Sequence, residues 1–415
     1  MNVLLVNKFF RRGAGAETVF FDTMALLDRG GHTVVPFAMQ HEDNEPTPWS
    51  EYFARRRDYL SGSITGRVRD AAASVYSLEA RSRLRELLRV FRPDIAHLHN
   101  VYHQLTLSVI DELEAAGVPI VLTVHDYKPV CPNYQLLAND GPCTRCIGGA
   151  YRHALIHRCV KGSFVASGVA ALEAHVNRLR NQYGKIDRLI SPSVFLRDVL
   201  VEGGYQADRI DVIANPVQPS SSPRSSTTAP TFIYFGRLAP EKGLQTLLDA
   251  AALLDGAARV VIYGTGPLED EVRTRVEHEQ LPVDVRGFAA QAEIFAALGD
   301  MRAALLPARW FENCPMSILE AAACGVPTIG SRIGGIPDLI DDGRTGVLVE
   351  PGDPAGLAEA INGLAGNEET ARRLGAAARE LIAERHDRLR YRDSLLAVYR
   401  RAMGEPVTGG LAAAS

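Results

Sequence analysis

The chain has 415 residues, more than one hydrophobic core usually serves, so two domains are expected. Its formal net charge of −4 speaks against general nucleic-acid binding, and no run approaches the roughly 20 apolar residues of a membrane span. Apolar content of 46% and charged content of 23% are those of an ordinary globular protein.

The opening MNVLLVNKFF has an apolar run with no basic region before it and no small-residue cleavage site. It reads as a first buried strand over 2–7 and not as a signal peptide, which implies a cytoplasmic protein. The turn Arg11-Arg12-Gly13-Ala14-Gly15-Ala16-Glu17 leads into an amphipathic helix ending near Gly30-Gly31. A glycine turn between strand and helix can aim backbone N–H groups at a phosphate or sugar oxygen, and it can equally be only a tight connection.

A second strand is expected over 32–39. Residues 51–92 then carry ten arginines against five acids in a chain that is negative overall. Such a run is either a solvated basic face or a surface that rests on anionic lipid headgroups. DIAHLHN (94–100) and PIVLTVHD (119–126) read as two further buried strands with polar ends. In an open parallel sheet the ligand crevice lies beyond the carboxyl ends of the strands, which is where His99, Asn100, His125 and Asp126 fall. A lone histidine is as readily a satisfied core group.

The segment 127–162 reads as a Cys-rich insertion. Cys131, Cys143, Cys146 and Cys159 follow the spacing C-x11-C-x2-C-x12-C, with His153 and His157 as spare nitrogen donors. A reducing cytoplasm disfavours disulfides, so the set reads as a structural zinc site, as a redox pair at Cys143 and Cys146, or as four thiols that merely lie close. Cys314 and Cys324 read as small packing residues.

A helix over 168–184, a strand over 188–193 and the segment 211–216 complete a first domain over 1–217. Residues 218–230 are rich in Ser, Thr and Pro and nearly uncharged, the composition of a linker. A second βα alternation follows over 231–386, which predicts another doubly wound parallel sheet. Within it FENCPMSILEAAACGVPTIGSRIGG (311–335) gathers two carboxylates, Glu312 before a helix and Glu320 inside it. Pro315 suits the first helical turn, Gly325 and Pro327 mark the stop, and the amides of Met316 and Ser317 are placed to meet an anion. The backbone at Gly334 and Gly335 lacks side chains, so close approach of a ligand is expected there. A final helix spans 387–404.

The E-x7-E spacing of Glu312 and Glu320 resembles the retaining GT-B glycosyltransferases of family 4. Gly236-Arg237-Leu238 with Glu241-Lys242-Gly243 is similar to the family's G-R-L-x-x-x-K-G element. Tyr263–Pro267, containing Gly264 and Gly266, is similar to its G-x-G-P turn, and Gly343–Val347 to its G-x-x-G-x-L/V segment. The order and spacing match over roughly 230–365. The family has a G-G-x-E loop where this chain has Ala14 and Gly15, so Gly15 is the better donor-contacting candidate. His125 stands where members carry an active-site histidine, and a subset of members shows a similar HDY-x3-CPN insertion.

The resemblance implies two Rossmann-like domains with the active site in the cleft between them. The first would bind the acceptor and the second the nucleotide-sugar donor, with the last helix crossing back to the first. It implies Arg237 and Lys242 at the diphosphate, Glu320 at the ribose and Glu312 at the donor-sugar hydroxyls. Pro315 stands where many members have glycine, which leaves Met316 and Ser317 as the amide donors. No D-x-D occurs, so catalysis without a metal ion is expected, by front-face transfer in which the departing phosphate takes the acceptor proton. The acceptor would be a glycan, a lipid-linked sugar or a small molecule, with possible contact to an anionic membrane at the inner face. Competing readings are a GT-B nucleotide-sugar epimerase or hydrolase and a non-catalytic binding subunit. Four charges kept at motif positions argue against the last.

Overall fold

Two short apolar runs show why the sheets are parallel and enclosed. Val3–Val6 and Phe232–Tyr234 are buried at every position, the pattern of strands covered by helices on both faces. The computed structural model describes residues 1–13, 15–56, 75–139, 141–218 and 230–406, and the chain forms two units, Met1–Asn215 with Arg388–Ser415, and Pro216–Asp387. Ala14, nearly all of the 218–230 segment, and Arg57, Arg67 and Arg69 of the basic run lie outside the described residues.

The first unit contains β1 (Asn2–Val6), β2 (Thr33–Phe37), β3 (Ile95–Leu98) and β4 (Ile120–Thr123). A small antiparallel hairpin follows, β5 (Leu137–Ala138) with β6 (Gly141–Pro142), then β7 (Arg188–Ser191) and β8 (Ile210–Val212). The six parallel strands run in the order β2-β1-β3-β4-β7-β8. The order reverses beside β1, which places the loops after β1 and β3 at a topological switch point.

The second unit repeats the plan with β9 (Thr231–Phe235), β10 (Arg259–Tyr263), β11 (Val283–Gly287), β12 (Ala303–Leu306), β13 (Thr328–Ser331) and β14 (Gly346–Val349). Its order is β11-β10-β9-β12-β13-β14, again all parallel, so the switch lies between β9 and β12. Phe232, Tyr234, Leu247, Val260 and Ile262 pack with Leu357 and Ile361 in its core.

Of the described arginines in the 51–92 run, several are neutralised inside the first unit. Arg81 and Arg85 both bind the buried carboxylate of Glu112, at 2.8 and 2.7 Å, and Arg83 lies between Glu79 and Glu86. The excess read from the sequence is therefore smaller at the surface than its count suggests.

The helix Arg388–Ala402 belongs to the first unit and is pinned there by buried polar contacts. The hydroxyls of Tyr391 and Thr23 lie 2.7 Å apart, Arg388 pairs with Asp22 at 2.7 Å, and the Tyr399 hydroxyl meets His97 Nδ1 at 2.8 Å. His97 Nε2 is in turn 2.7 Å from Thr123 Oγ1. His97 and His99 are fully buried, with their rings tilted against each other and centroids 4.3 Å apart. Burial pushes His97 down to about 3 and holds His99 well below the ordinary imidazole value of 6.5. The folded rings stay neutral where the unfolded ones would be protonated. The stability they contribute is complete above pH 6.5 and is lost as pH falls toward the folded values. Thermal melts between about pH 7 and pH 4 should show the midpoint falling, and His97→Gln should flatten that fall. A midpoint independent of pH over this window would contradict the assignment.

Candidate active site

The candidate residues fall in both units. In the second unit the switch between β9 and β12 brings two loops together. The loop after β9 carries Arg237 and the short 3-10 turn Pro240–Lys242, and the loop after β12 carries Trp310 and Glu312. Glu312 is only 5% exposed, and a carboxylate that has left water must be paired. Lys242 Nζ donates to its Oε1 at 2.6 Å, and Trp310 Nε1 donates to the same oxygen at 2.9 Å. The Lys242 ammonium also sits 5.4 Å from the Trp310 ring centroid. Trp310 was not singled out by the sequence. Its position two residues before Glu312 was the available signal.

Arg237 stands apart from this pair. Its side chain is 63% exposed, and its nearest carboxylate, on Glu241, is at the 3.9 Å limit of an ion pair. Tyr234 donates its hydroxyl to the Arg237 carbonyl at 2.8 Å, which fixes the backbone of the G-R-L element while the guanidinium points to solvent. Glu320 lies on the helix Met316–Ala323 and accepts from Gln291 Nε2 at 2.8 Å. Desolvation raises its pKa, and the Gln291 bond opposes the rise. Gln291 was likewise not foreseen.

That helix begins one residue later than its proline suggested. Pro315 is the N-cap, with φ −68° and ψ 115°, and Met316 and Ser317 provide the first helical amides. Gly334 and Gly335 have a different role from the one expected. A Cβ at Gly334 would approach the Glu312 carbonyl oxygen to 2.4 Å, one at Gly335 would approach Asn313 O to 1.9 Å, and the Gly335 amide donates to Glu312 O at 2.6 Å. These glycines let the strand end pack against the backbone that carries Glu312. Gly264 acts similarly in the G-x-G-P turn: its φ is 132°, and a Cβ there would meet Gly236 O at 1.9 Å. Gly266 abuts the backbone of Leu238 in the same way.

In the first unit Gly15 is the first residue of the helix Gly15–Arg29, which follows β1, and Glu17 in its first turn is buried with a raised pKa caused by desolvation. His125 follows β4. Its Nε2 lies 2.8 Å from His99 Nδ1, with the two rings stacked 5.1 Å apart. Burial pushes His125 down to about 4, so near neutral pH it is a neutral hydrogen-bonding group and not a cation. Asp126 caps the next turn by accepting from the Lys128 amide at 3.0 Å.

Cys131, Cys143, Cys146 and Cys159 all line one small cavity together with His153 and His157. All four are free thiols, and Cys131 Sγ donates to Asn133 Oδ1 at 2.8 Å. Among the described residues no group of three His, Cys, Asp or Glu side chains is arranged to hold a metal ion.

Comparison with known proteins follows the same division of the chain. Residues 13–221 match the profile of Glycosyltransferase Family 4 and residues 220–381 that of Glycosyl transferases group 1. The chain is 32% identical to a putative colanic acid biosynthesis glycosyltransferase, WcaL, of Escherichia coli, over 83% of this chain and 86% of that one. It is 29% identical to a glycogen synthase of Mycobacterium tuberculosis over 72% of this chain, and the match spans 66% of that relative's length. The crystal structure of Anabaena HepE in complex with UDP-glucose superposes with a TM-score of 0.66 at 17% identity, over 95% of this chain and 98% of that one. The parallel sheets, their loop motifs and these matches along nearly the whole chain together place the protein in glycosyltransferase family 4, with the two-domain GT-B fold.

Proposed function

We propose that the protein is a retaining glycosyltransferase that moves a hexose from a nucleoside-diphosphate sugar to an acceptor hydroxyl in bacterial glycan synthesis. The observation that carries this reading is the buried Glu312, held by Lys242 and Trp310 at the switch point of the second sheet. Such a carboxylate is rigid and dry, which suits it to accept hydrogen bonds from the donor-sugar hydroxyls. The exposed Arg237 guanidinium is available to fork onto diphosphate oxygens, and Lys242 adds a compact charge beside Glu312. Together they would stabilise the leaving group without a metal ion. Glu320 would accept from the ribose hydroxyls, with the Met316 and Ser317 amides at the phosphate and sugar. Neutral His125 would offer a hydrogen bond to the reacting sugar, and Gly15 a backbone amide.

In the transfer itself the bond from the anomeric carbon to the diphosphate oxygen breaks and a bond to the acceptor oxygen forms on the same face. The acceptor proton passes to the departing phosphate. Because a structural neighbour was solved with UDP-glucose, uridine-linked hexoses are the first donors to test. Among the described residues no helix is long and apolar enough to cross a membrane.

Kinetics on the preferred donor should separate the two carboxylates. Glu312→Ala should lower kcat by about 10²-fold or more with little change in donor KM, whereas Glu320→Ala should mainly raise donor KM, by about tenfold. Full turnover in Glu312→Ala would remove the centre of this reading. Donor turned over equally well with and without acceptor would favour an epimerase or hydrolase.

The four cavity thiols, Cys131, Cys143, Cys146 and Cys159, are proposed as ligands of a structural Zn²⁺ ion; no three of them are arranged to hold a metal as they stand, so binding requires the cavity to close around the ion. The support is that all four thiols line one cavity, and bound zinc would tie the hairpin β5–β6 to the helices that follow. Elemental analysis of protein purified without added metal should give about one equivalent of zinc, removable only with loss of structure. Folded, active protein holding less than about 0.2 equivalents would reject the site.

A further inference from the structure

The helix Phe164–Leu179, which follows the cysteine-lined cavity, carries large apolar side chains on its outward side. Its inward side buries Ser167, Ala170, Ala171, Glu173 and Asn177, and Ala171 packs with Cys146, Tyr151 and Ala154. Its outward side is largely apolar, with His175 and Arg178 as its exposed polar residues. Val165, Leu172 and Leu179 recur every seven residues along one face and are 74%, 57% and 86% exposed, with Phe164 beside them at 59%. Ile156, on the preceding helix Arg152–Ile156, adds another large apolar group at 63% exposure. An exposed row of large apolar side chains marks a surface that meets another apolar phase, and this helix is packed on its inward side only.

The charges around it indicate which phase. Arg152, Arg158 and Lys161 are exposed and form no ion pair with any described residue. Glu173 is the only acid between residues 151 and 182, and it is buried, with Lys128 Nζ 2.7 Å from its Oε2. The exposed surface of this segment is therefore apolar and basic, with its single acid turned inward. Large apolar side chains rimmed by Lys and Arg are the composition of helices that lie in a bilayer interface and prefer anionic lipid.

We propose that the outward face of Phe164–Leu179, with Ile156 and the rim of Arg152, Arg158 and Lys161, docks the protein onto an anionic membrane. This surface is distinct in sequence from the arginine-rich 51–92 run, and the proposal stands whether or not the transfer reading does. In that reading it would hold the enzyme at the surface where a lipid-linked acceptor is presented.

Co-sedimentation of the full chain with vesicles tests it. Protein should pellet with phosphatidylcholine vesicles containing about a third phosphatidylglycerol, much less with phosphatidylcholine alone, and should be released at about 0.5 M salt by screening. Leu172→Glu/Leu179→Glu should lower partitioning about tenfold or more, with the thermal midpoint and turnover of soluble donor unchanged. Arg158→Glu/Lys161→Glu should weaken binding to the anionic vesicles alone. The proposal is overturned if the native chain ignores anionic vesicles at low salt or binds neutral ones equally. It also fails if the arginine–lysine variant binds like the native chain, or if sedimentation velocity shows this face joining two copies that the leucine variant separates. Donor turnover is scored independently of vesicle binding, so failure here and failure of the transfer reading are distinguishable.

Discussion

A carboxylate taken out of water costs several kcal/mol unless charge and hydrogen bonds replace its hydration, and Glu312 sets that condition for the second unit. Its partners come from two loops. Lys242 is 70 residues away in sequence and arrives because β9 and β12 are neighbours in the sheet. Trp310 comes from the same loop as Glu312 and supplies both an N–H donor and a ring face for the ammonium. The loop can approach this closely because the adjoining strand end carries Gly334 and Gly335, where any Cβ would collide with the peptides of Glu312 and Asn313. Sheet order, glycine placement and a charged pair thus act as one constraint on the position of a single carboxylate.

The first unit meets a related constraint with neutral groups. Three imidazoles lie in a row near the ends of β3 and β4, and burial keeps all of them unprotonated near neutral pH. Neutral rings can be stacked without mutual repulsion, and each nitrogen can serve as donor or acceptor according to its neighbour. His97 uses both nitrogens structurally, fastening the C-terminal helix through Tyr399 and the sheet through Thr123. His125, half-buried at the end of the row, meets His99 through its Nε2. The unit therefore presents a hydrogen-bonding group that is insensitive to pH near neutrality, whereas the second unit presents fixed charges.

Much of the architecture was legible in the residues because it depends on local chemistry. Buried parallel strands read as short apolar runs, and glycines that need unusual backbone geometry, such as Gly264, stand where the turns stand. The motif order from Gly236 to Val347 pointed to the fold and to Glu312, Glu320, Arg237 and Lys242 without any coordinates. The helix start near Pro315 was legible too, and the structure makes that proline the N-cap with Met316 as the first helical residue.

Partners, by contrast, were decided only in three dimensions. Nothing near Glu312 in the chain announces Lys242 as its counter-ion, nothing near Glu320 announces Gln291, and nothing near Arg81 announces Glu112. The same holds for exposure: a helix was legible over 168–184, but only the packing of Phe164–Leu179 shows which of its sides is uncovered. Backbone preference and hydrophobic period are properties of neighbouring residues and are written in their order. Pairing and desolvation depend on distances between residues far apart in the chain, and those distances exist only once the sheets have assembled.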